Sequence, residues 1–344
     1  ANVQPHSGAQ ANEAVYHSWL EPGDTIMAMD LSHGGHLTHG APVTVLAQLF
    51  NFIRYKMSDT ETGSFDFDQI RELALKHRPK ILLVGYSAYP RELDYAKFAE
   101  IGNEVGAVLV ADIAHIAGLI AGHVLANPFD SGFHVLSTTT HKTLRGPRGG
   151  MILSKGTVSN PLKAPEKTVE NLPTLIDRTV FPGLQGGPLM HVIAGKAVAF
   201  HEALQPTFTT YAARVVANAK ALARELMNRG CKLVTNGTDN HLILLDAVRS
   251  FGINGAEAER TLDRVGLTLN KNSTPDDSNP PFQPSGIRFG TPAITTRGAS
   301  EKDMELLATW IVDAIAHRSD NSRLEEIKQQ VKDFSLGLRS PNDL

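Results

Sequence analysis

A lysine follows directly after a run of residues that is typical of a buried strand. In FHVLSTTTHKTLRGPRGG, residues 133–150, a β-branched stretch leads to His141 and Lys142, and a turn rich in glycine and arginine comes next. Partial burial lowers the pKa of an ammonium group, and the neutral amine is a nucleophile suited to a Schiff base. A solvated lysine at the start of a loop is the ordinary alternative. Lys142 is therefore a candidate for covalent chemistry with a carbonyl group.

In a second motif, VLVADIAHIAG at residues 108–118, the apolar run VLVA is followed by the carboxylate of Asp112. Asp112 should lie at the carboxyl end of a strand, where open α/β sheets bind ligands. There it could pair with the protonated ring nitrogen of pyridoxal phosphate and maintain the cofactor as an electron sink. A helix N-cap is an equally good interpretation of Asp112. His115 could stack on the same ligand, hydrogen-bond to it, or pack in the core.

Several positions could bind a phosphate group. Ser7 and Gly8 open a helical pattern, and backbone N–H groups at a helix start attract anions, although a serine there is most often only a cap. Ser87, just after the apolar run KILLVG, and His141 could add contacts. The glycine-rich turn FPGLQGGPLMH, residues 181–191, could approach a phosphate closely or simply make a tight turn.

Three histidines lie in LSHGGHLTHG, residues 31–40. Glycines interrupt the segment, so a helix that would align the rings is not expected, and no cysteine or carboxylate cluster flanks it. We therefore predict no metal site, and favour an imidazole placed over an aromatic cofactor. A further candidate is Arg288 in SGIRFGTPAIT, residues 285–295, whose guanidinium fork could bind a carboxylate or form a structural ion pair.

The elements that would position these side chains alternate along the chain. Strand patterns at 25–29, 80–85, 107–111, 133–139 and 149–154 are separated by helical patterns such as 9–20 and 95–105, which predicts an α/β fold with a mainly parallel sheet. Residues 157–177 are predicted to be an irregular surface excursion and 275–284 a loop. Long helices at 188–204 and 208–229 come between these two segments. We predict a large domain at residues 1–202 and a smaller C-terminal α/β domain at 203–344.

Composition limits the class of protein. Of the 344 residues, 42% are hydrophobic and 20% charged, so a sizeable core is expected. The net charge of −3 argues against a protein that coats nucleic acid or an anionic membrane. The single cysteine, Cys231, fits a reducing compartment, and we expect a cytoplasmic protein. The apolar stretch 106–126 is interrupted by Asp112 and two histidines, which argues against a membrane span.

Six segments together resemble the serine hydroxymethyltransferase family, and they occur in that family's order. The segments are NVQPHSGAQAN, LSHGGHLTHG, VADIAHIAGLIA, TTTHKTLRGPRGG, FPGLQGGPLMHVIAGKAVA and SGIRFGTPAIT. The resemblance covers nearly the whole chain, and TTTHKTLRGPRGG is highly specific. It implies a fold-type-I pyridoxal-phosphate enzyme, with a sheet of the seven-stranded type in the large domain, that works as a homodimer or tetramer.

The resemblance also implies roles for individual residues around the cofactor. Lys142 would carry pyridoxal 5'-phosphate covalently, Asp112 would pair with its ring nitrogen and His36 would stack on the ring. His115 would meet the phenolic oxygen of the cofactor or the substrate. The phosphate would be bound by Gly8, Ser87 and His141, with Ser7 as a neighbour, and Gly187 would reach the phosphate bound by the partner subunit.

Serine, glycine and tetrahydrofolate are the implied substrates. Arg288 would hold the amino-acid carboxylate, and the folate would meet Leu31, Gly35, Leu37, Asn272 and Phe282. The implied reaction converts serine and tetrahydrofolate reversibly to glycine and 5,10-methylenetetrahydrofolate, in glycine biosynthesis and one-carbon metabolism.

This sequence departs from the family pattern in two respects. Ala9 stands where some members have a phosphate-binding serine. The family's N-terminal arm, which supplies a catalytic glutamate, is missing before Ala1, so we expect that the protein begins earlier and that this chain alone has little activity. Two alternatives stay open, namely a threonine aldolase-like enzyme that needs no folate and a non-catalytic fragment that binds the cofactor.

Overall fold

The computed structural model describes residues 1–155 and 172–340, which form two compact units. The first unit comprises residues 1–58, 65–87 and 93–209. The second comprises residues 59–64, 88–92 and the chain from residue 210 onward. The domain division at residues 202 and 203 stays a sequence-based proposal.

The first unit is built on one sheet covered by helices. Its elements are α1 (Gly8–Trp19), β1 (Thr25–Met29), α2 (Leu46–Leu49), β2 (Asn51–Tyr55), α3 (Phe67–His77), β3 (Ile81–Gly85), α4 (Tyr95–Val105), β4 (Val108–Asp112), α5 (Ala117–Ala121), β5 (Val135–Thr139), β6 (Gly150–Ser154), α6 (Leu172–Arg178) and α7 (Met190–Ala203). The six strands lie in the order β2-β1-β3-β4-β5-β6. All neighbours are parallel except β6, which is antiparallel to β5. The prediction of an α/β fold with a mainly parallel sheet is confirmed, but among the described residues this sheet has six strands, where the resemblance implied the seven-stranded type.

The burial of the central strands explains why continuous apolar runs in the sequence predict them. Every residue of β3, β4 and β5 is buried, because helices cover both faces of a parallel sheet and each face needs apolar side chains. Helix boundaries follow local chemistry as well. Asp66 accepts hydrogen bonds from the backbone N–H groups of Asp68 and Gln69 at the start of α3. Gly106 ends α4 in a left-handed conformation with φ of 70°.

Two parts of the first unit differ from the sequence-based expectation. Strand β2 was not predicted, because it is the edge strand and its residues are mostly half-buried, so the continuous apolar run of a central strand is lacking. Residues 172–178 form α6 instead of irregular structure, since Pro173 lies in the first turn, where proline is tolerated. The rest of the predicted excursion, up to residue 171, lies outside the described residues.

The second unit contains a smaller antiparallel sheet. Its elements are α8 (Pro206–Asn228, of which residues 206–209 fall in the first unit), β7 (Lys232–Leu233), β8 (Leu242–Asp246), α9 (Ala247–Phe251), α10 (Gly255–Arg264), β9 (Asn270–Asn272), β10 (Gly286–Gly290), α11 (Pro292–Thr296), α12 (Asp303–Ala316) and α13 (Asn321–Gly337). The strand order is β7-β8-β10-β9, and all neighbours are antiparallel. Residues 275–284 contain no helix or strand, as expected.

Within residues 1–155 and 172–340, no helix combines the length and the apolar character that a bilayer crossing requires.

The buried centre of the first sheet generates a stability prediction. Leu83 in β3 is completely buried, so Leu83→Ala should lower the free energy of unfolding by about 2–5 kcal/mol through lost burial and a residual cavity. Urea denaturation measures this loss. Leu75→Ala in α3 is the control, because Leu75 is 37% exposed and the expected change is within about 0.5 kcal/mol. Similar losses in both variants would contradict the placement of β3 at the centre of the sheet.

Candidate active site

The loops that carry most of the candidate residues emerge at one edge of the first sheet. Strands β1, β3, β4 and β5 are parallel, so the segments that follow them share the carboxyl edge, which carries the ligand site in open α/β sheets. Strand β1 lies between β2 and β3, so the chain changes direction across the sheet beside it. The loops after β1 and β3 meet there, because the backbone N–H of Ser87 donates to the carbonyl of Gly34 at 2.7 Å.

Asp112, the last residue of β4, is the centre of this edge. Its side chain is only 7% exposed. The Oδ2 atom accepts hydrogen bonds from Asn12 Nδ2 at 2.8 Å and from His39 Nε2 at 3.2 Å, and Oδ1 accepts one from the backbone N–H of Ala114 at 3.1 Å. The carboxylate is therefore held from three directions.

The tautomer of His39 follows from its two contacts. Its Nδ1 accepts a hydrogen bond from the backbone N–H of His36 at 3.1 Å, so in a neutral ring the proton is on Nε2. That proton points to Asp112 and makes His39 a donor to the carboxylate. The short helical turn Leu37–His39 thus orients the ring through its own backbone.

The surroundings of Asp112 favour its ionised form. Burial by itself raises the pKa of a carboxyl group. The hydrogen bond from His39, the positive potential of His39 and His36 and the bond from Asn12 outweigh burial, and the pKa of Asp112 lies well below its ordinary value. The same negative charge, together with burial as the larger cause, raises the pKa of Tyr16 well above its ordinary value. A buried carboxylate that stays charged is a strong site for a cationic group.

Asn12 and His39 are functional residues that the sequence-based reasoning did not assign. Asn12 is 1% exposed, and it joins α1 to the sheet through Asp112 and the hydroxyl of Ser137, and to the turn after β1 through Thr38 Oγ1 at 2.9 Å. The sequence contained a signal for Asn12. It lies four residues after Gly8, so the two residues are on the same face of α1. A polar residue on an otherwise apolar helix face requires a partner.

The start of α1 lies against the end of β5. Ser7 caps the helix, and its Oγ accepts a hydrogen bond from the backbone N–H of Gln10 at 3.2 Å. A Cβ atom on Gly8 would lie 2.7 Å from Thr139 Cγ2, so only glycine permits this close approach. Ala9 supplies no hydroxyl group, and the backbone N–H groups of the helix start are the remaining donors for an anion.

Lys142 and His141 occupy a closed loop after β5. The loop is pinned where Thr140 N–H donates to Gly149 at 3.1 Å and Gly146 N–H donates to Thr140 at 2.7 Å. Both Lys142 and His141 are half-buried. Burial, followed by the positive charges of Arg148 and Lys142, lowers the pKa of His141, which favours a neutral imidazole near neutral pH.

A threonine links the loop of Lys142 to the segment after β4. Thr143 Oγ1 donates to the carbonyl of His115 at 3.0 Å and accepts from the backbone N–H of Gly118 at 2.9 Å. The structure therefore connects the loops that carry Lys142 and His115. His36 begins the short turn after β1, where its Nδ1 lies 2.7 Å from Thr38 Oγ1.

The remaining candidates of the first unit differ in their exposure. Leu31 and Leu37 expose 45% and 48% of their surface, an unusual exposure for leucine, while Gly35 between them is buried. Gly187 is exposed, and a Cβ atom placed on it would meet nothing within 4 Å.

Three candidates belong to the second unit. Arg288 lies on β10, half-buried, and its Nη2 donates to Asn270 Oδ1 at 3.4 Å. Burial lowers the pKa of its guanidinium group. Asn272 on β9 is the register partner of Gly286, and Phe282 is 83% exposed.

One cluster of side chains has donor atoms close enough together to bind a metal ion. His36, His39 and Asp112 bring their donor atoms within 4.8 Å of one another. The histidine rings and the carboxylate are also joined by the hydrogen bonds described above, to one another, to Asn12 and to Thr38. The sequence-based prediction of no metal did not foresee this convergence, because it treated the segment around His36 without Asp112.

The chemistry of this donor set fits pyridoxal phosphate. The protonated nitrogen of a pyridine ring is a cation suited to the ionised Asp112, and the helix start beside Thr139 suits the phosphate. A doubly wound sheet with these groups on its carboxyl edge assigns the chain to the pyridoxal-phosphate-dependent enzymes of fold type I.

Comparison with known proteins identifies the family within this class. A family model described as serine hydroxymethyltransferase matches residues 1–311. A curated serine hydroxymethyltransferase from Nostoc punctiforme is 53% identical over 331 residues, which cover 96% of this chain and 74% of that relative. The chain belongs to the serine hydroxymethyltransferase family.

The ionised state of Asp112 generates a prediction for stability against pH. A carboxyl group with a lowered pKa in the folded state stabilises the protein above the unfolded-state pKa of about 3.9, and this contribution is lost as the pH falls. Between pH 6 and pH 3 the cofactor-free protein should therefore lose more free energy of unfolding than Asp112→Asn. Below the unfolded-state pKa the slopes should differ by up to about 1.4 kcal/mol per pH unit.

Urea denaturation at a series of pH values measures these slopes. Asp130→Asn is the matched control, because it changes an exposed carboxylate of the same unit and should follow the unmodified protein. Parallel profiles for Asp112→Asn and the unmodified protein would rule out an ionised, stabilised Asp112.

Proposed function

We propose that the function of this protein is the reversible transfer of the hydroxymethyl group of serine to tetrahydrofolate. In this reaction the Cα–Cβ bond of serine breaks, tetrahydrofolate takes the one-carbon unit as a methylene group, the hydroxyl oxygen leaves as water, and a proton takes the place of the one-carbon unit on Cα to form glycine. Membership of the serine hydroxymethyltransferase family supports this activity. The observation that carries the proposal is the buried Asp112, kept ionised at the carboxyl edge of the sheet.

The residues proposed to hold pyridoxal 5'-phosphate come from five segments of the first unit. The Lys142 amine carries the cofactor covalently, Asp112 pairs with the ring nitrogen, and His36 covers the ring. His115 contacts the phenolic oxygen or the substrate. The phosphate is bound by Gly8, Ser87 and His141, with Ser7 beside them. We propose that the cluster of His36, His39 and Asp112 serves this cofactor and holds no metal ion.

When bound, pyridoxal phosphate supplies an electron sink for negative charge that develops at the substrate Cα. The protein's own part is electrostatic. Asp112 stays ionised and stabilises a positive charge on the ring nitrogen, while Asn12 and His39 hold the carboxylate so that it does not reorient during the reaction. The neutral form of His141 is suited to donate a hydrogen bond to a phosphate oxygen.

We propose that Arg288 binds the substrate carboxylate. A half-buried guanidinium can form two parallel hydrogen bonds with a carboxylate, and burial strengthens them. Fixing the carboxylate fixes the orientation of the bonds at Cα, which decides which of them breaks. Tetrahydrofolate is proposed to contact Leu31, Gly35, Leu37, Asn272 and Phe282. The high exposure of Leu31, Leu37 and Phe282 suits apolar contacts with a flat heterocycle.

We also propose a homodimer or a tetramer in which Gly187 reaches the phosphate bound by the partner subunit. Large apolar side chains are exposed in and next to α7, and such a surface is typical of an interface; they are Phe181 at 53%, Met190 at 62%, Val198 at 60% and Leu204 at 82%. A cytoplasmic location in one-carbon metabolism is proposed as well, and the free, buried thiol of Cys231 is compatible with it.

The proposed function predicts that serine cleavage depends on both tetrahydrofolate and Lys142. Purified protein should form glycine from serine only when tetrahydrofolate is added. Borohydride followed by peptide mapping should place the cofactor on Lys142. In Lys142→Gln the label should disappear, and the rate should fall by about 10³-fold or more, because the variant lacks the amine that forms the covalent link.

Other outcomes point to other functions. Rapid cleavage of threonine with no effect of tetrahydrofolate would favour the threonine aldolase-like alternative. A label on Lys196 or Lys271 would contradict the assignment of Lys142. Lys155→Gln is the matched control, because Lys155 is exposed and lies outside the proposed site, and it should keep both the label and the rate.

The role of Arg288 generates a separate prediction. Arg288→Ala should weaken glycine binding by about 10-fold to 100-fold, and Arg288→Lys should not restore it, because lysine keeps the charge but lacks the fork. Cofactor affinity should be unchanged in both variants. Spectroscopic titration with glycine measures the effect, and Arg249→Ala, which removes an exposed ion pair with Glu61, is the control. Unchanged glycine affinity in Arg288→Ala would place the carboxylate elsewhere.

A further inference from the structure

Lys196 is a buried lysine to which the proposed function gives no role. It lies on α7, and only 2% of its surface is exposed. Its Nζ donates to the carbonyl oxygens of Val3 and Gly150, both at 2.6 Å, and lies 3.5 Å from that of Pro5. Among the described residues, its hydrogen-bond and ion-pair partners include no carboxylate. Burying an ammonium group costs desolvation free energy. The segments that carry the three carbonyl groups indicate what this lysine does.

The carbonyl groups belong to the two segments that meet beside the start of α1. Residues 2–5 run along β6, where Asn2 and Ile152 exchange backbone hydrogen bonds of 2.8 and 2.9 Å and Gly150 N–H donates to Pro5 at 2.9 Å. On the other side, Gln185 binds the carbonyl of Gln4 at 3.0 Å. Lys196 joins the two segments at the point where this pairing ends.

This junction is next to the place where the phosphate is proposed to bind. The chain passes from Pro5 through His6 to Ser7 and Gly8, the first residues of the helix start. A Cβ atom on Gly150 would lie 2.3 Å from the carbonyl oxygen of Ser7, so β6 is in direct contact with the helix start. Gly150 thus contacts both the ammonium group of Lys196 and that backbone.

We infer that Lys196 is a positioning residue for the cofactor phosphate: by holding residues 3–5 against β6, it sets where the Ser7–Gly8 backbone donors lie. The inference rests on the proposed function, which puts the phosphate at this helix start. Burial lowers the pKa of Lys196, which agrees with its dry surroundings. The positive charge behind the helix start also favours an anion in front of it.

A merely structural lysine would behave differently in one measurable respect. Loss of general stability weakens the binding of every ligand of the folded state alike. Loss of the phosphate position weakens pyridoxal 5'-phosphate but not pyridoxal, which has the same ring and aldehyde and no phosphate. The ratio of the two dissociation constants therefore isolates the role of Lys196, and the smaller intrinsic reactivity of pyridoxal cancels between variants.

The experiment titrates cofactor-free protein with each compound and follows absorbance. In Lys196→Met, the preference for pyridoxal 5'-phosphate over pyridoxal should fall by about tenfold or more, since three carbonyl groups lose a charged donor. Lys196→Gln keeps a neutral donor and should show a smaller fall. Lys155→Met is the matched control, because the exposed Lys155 at the end of β6 donates to the carbonyl of Phe129 at 2.9 Å, away from the helix start, and its ratio should not change.

Every outcome decides the matter. If Lys196→Met melts at a lower temperature but keeps the ratio of the unmodified protein, Lys196 only supports the fold and the inference is wrong. If Lys196→Met does not fold, Lys196→Gln is the deciding variant, and failure of both to fold overturns the inference. If the unmodified protein itself shows no preference for the phosphorylated compound, the phosphate site of the proposed function fails, which is a different result.

Discussion

A charged carboxylate in the interior of a protein is stable only if the surrounding groups compensate its loss of hydration. In this chain that carboxylate is Asp112. The fold of the first unit brings together the hydrogen-bond donors that replace its lost hydration. Asn12 comes from α1, His39 from the turn after β1, and the third donor from the backbone just after β4. None of these groups is near the others in sequence, so this set of donors to Asp112 assembles only in the folded chain.

The parallel sheet makes this convergence possible. Parallel strands bring all their carboxyl ends to one edge, and each crossover returns the chain so that the next loop is added at the same edge. The change of direction beside β1 brings the loop of Gly34 into contact with Ser87. Close approaches of Gly8 to the methyl group of Thr139 and of Gly150 to the backbone of Ser7 complete the arrangement, because a side chain at either glycine would push the helix start away from β5 and β6. The hydrogen bonds at this edge hold Asp112 in place, so the proposed reaction needs little reorganisation when charge develops.

Support for the site extends beyond the residues proposed to touch ligands. Thr143 ties the loop of Lys142 to the segment after β4, and Lys196 ties residues 3–5 to β6. Both use hydrogen bonds to backbone carbonyl groups, which fix the path of the chain and not just one side chain. We therefore expect cofactor affinity to depend on residues that do not touch the phosphate themselves. Such residues hold the site residues in their positions.

The sequence alone determined the fold class, the central strands and the positions of Asp112 and Lys142 at strand ends, because apolar runs, helix caps and chain order are local properties that the residues themselves encode. It did not reveal the edge strand β2, whose side chains are only half-buried, or the helix at 172–178. Only the tertiary structure decided that Asn12 and His39 bind Asp112, and that Lys196 bonds to residues 3–5. These contacts join residues 73 to 193 positions apart, and no local pattern records them because they form only when distant segments pack together.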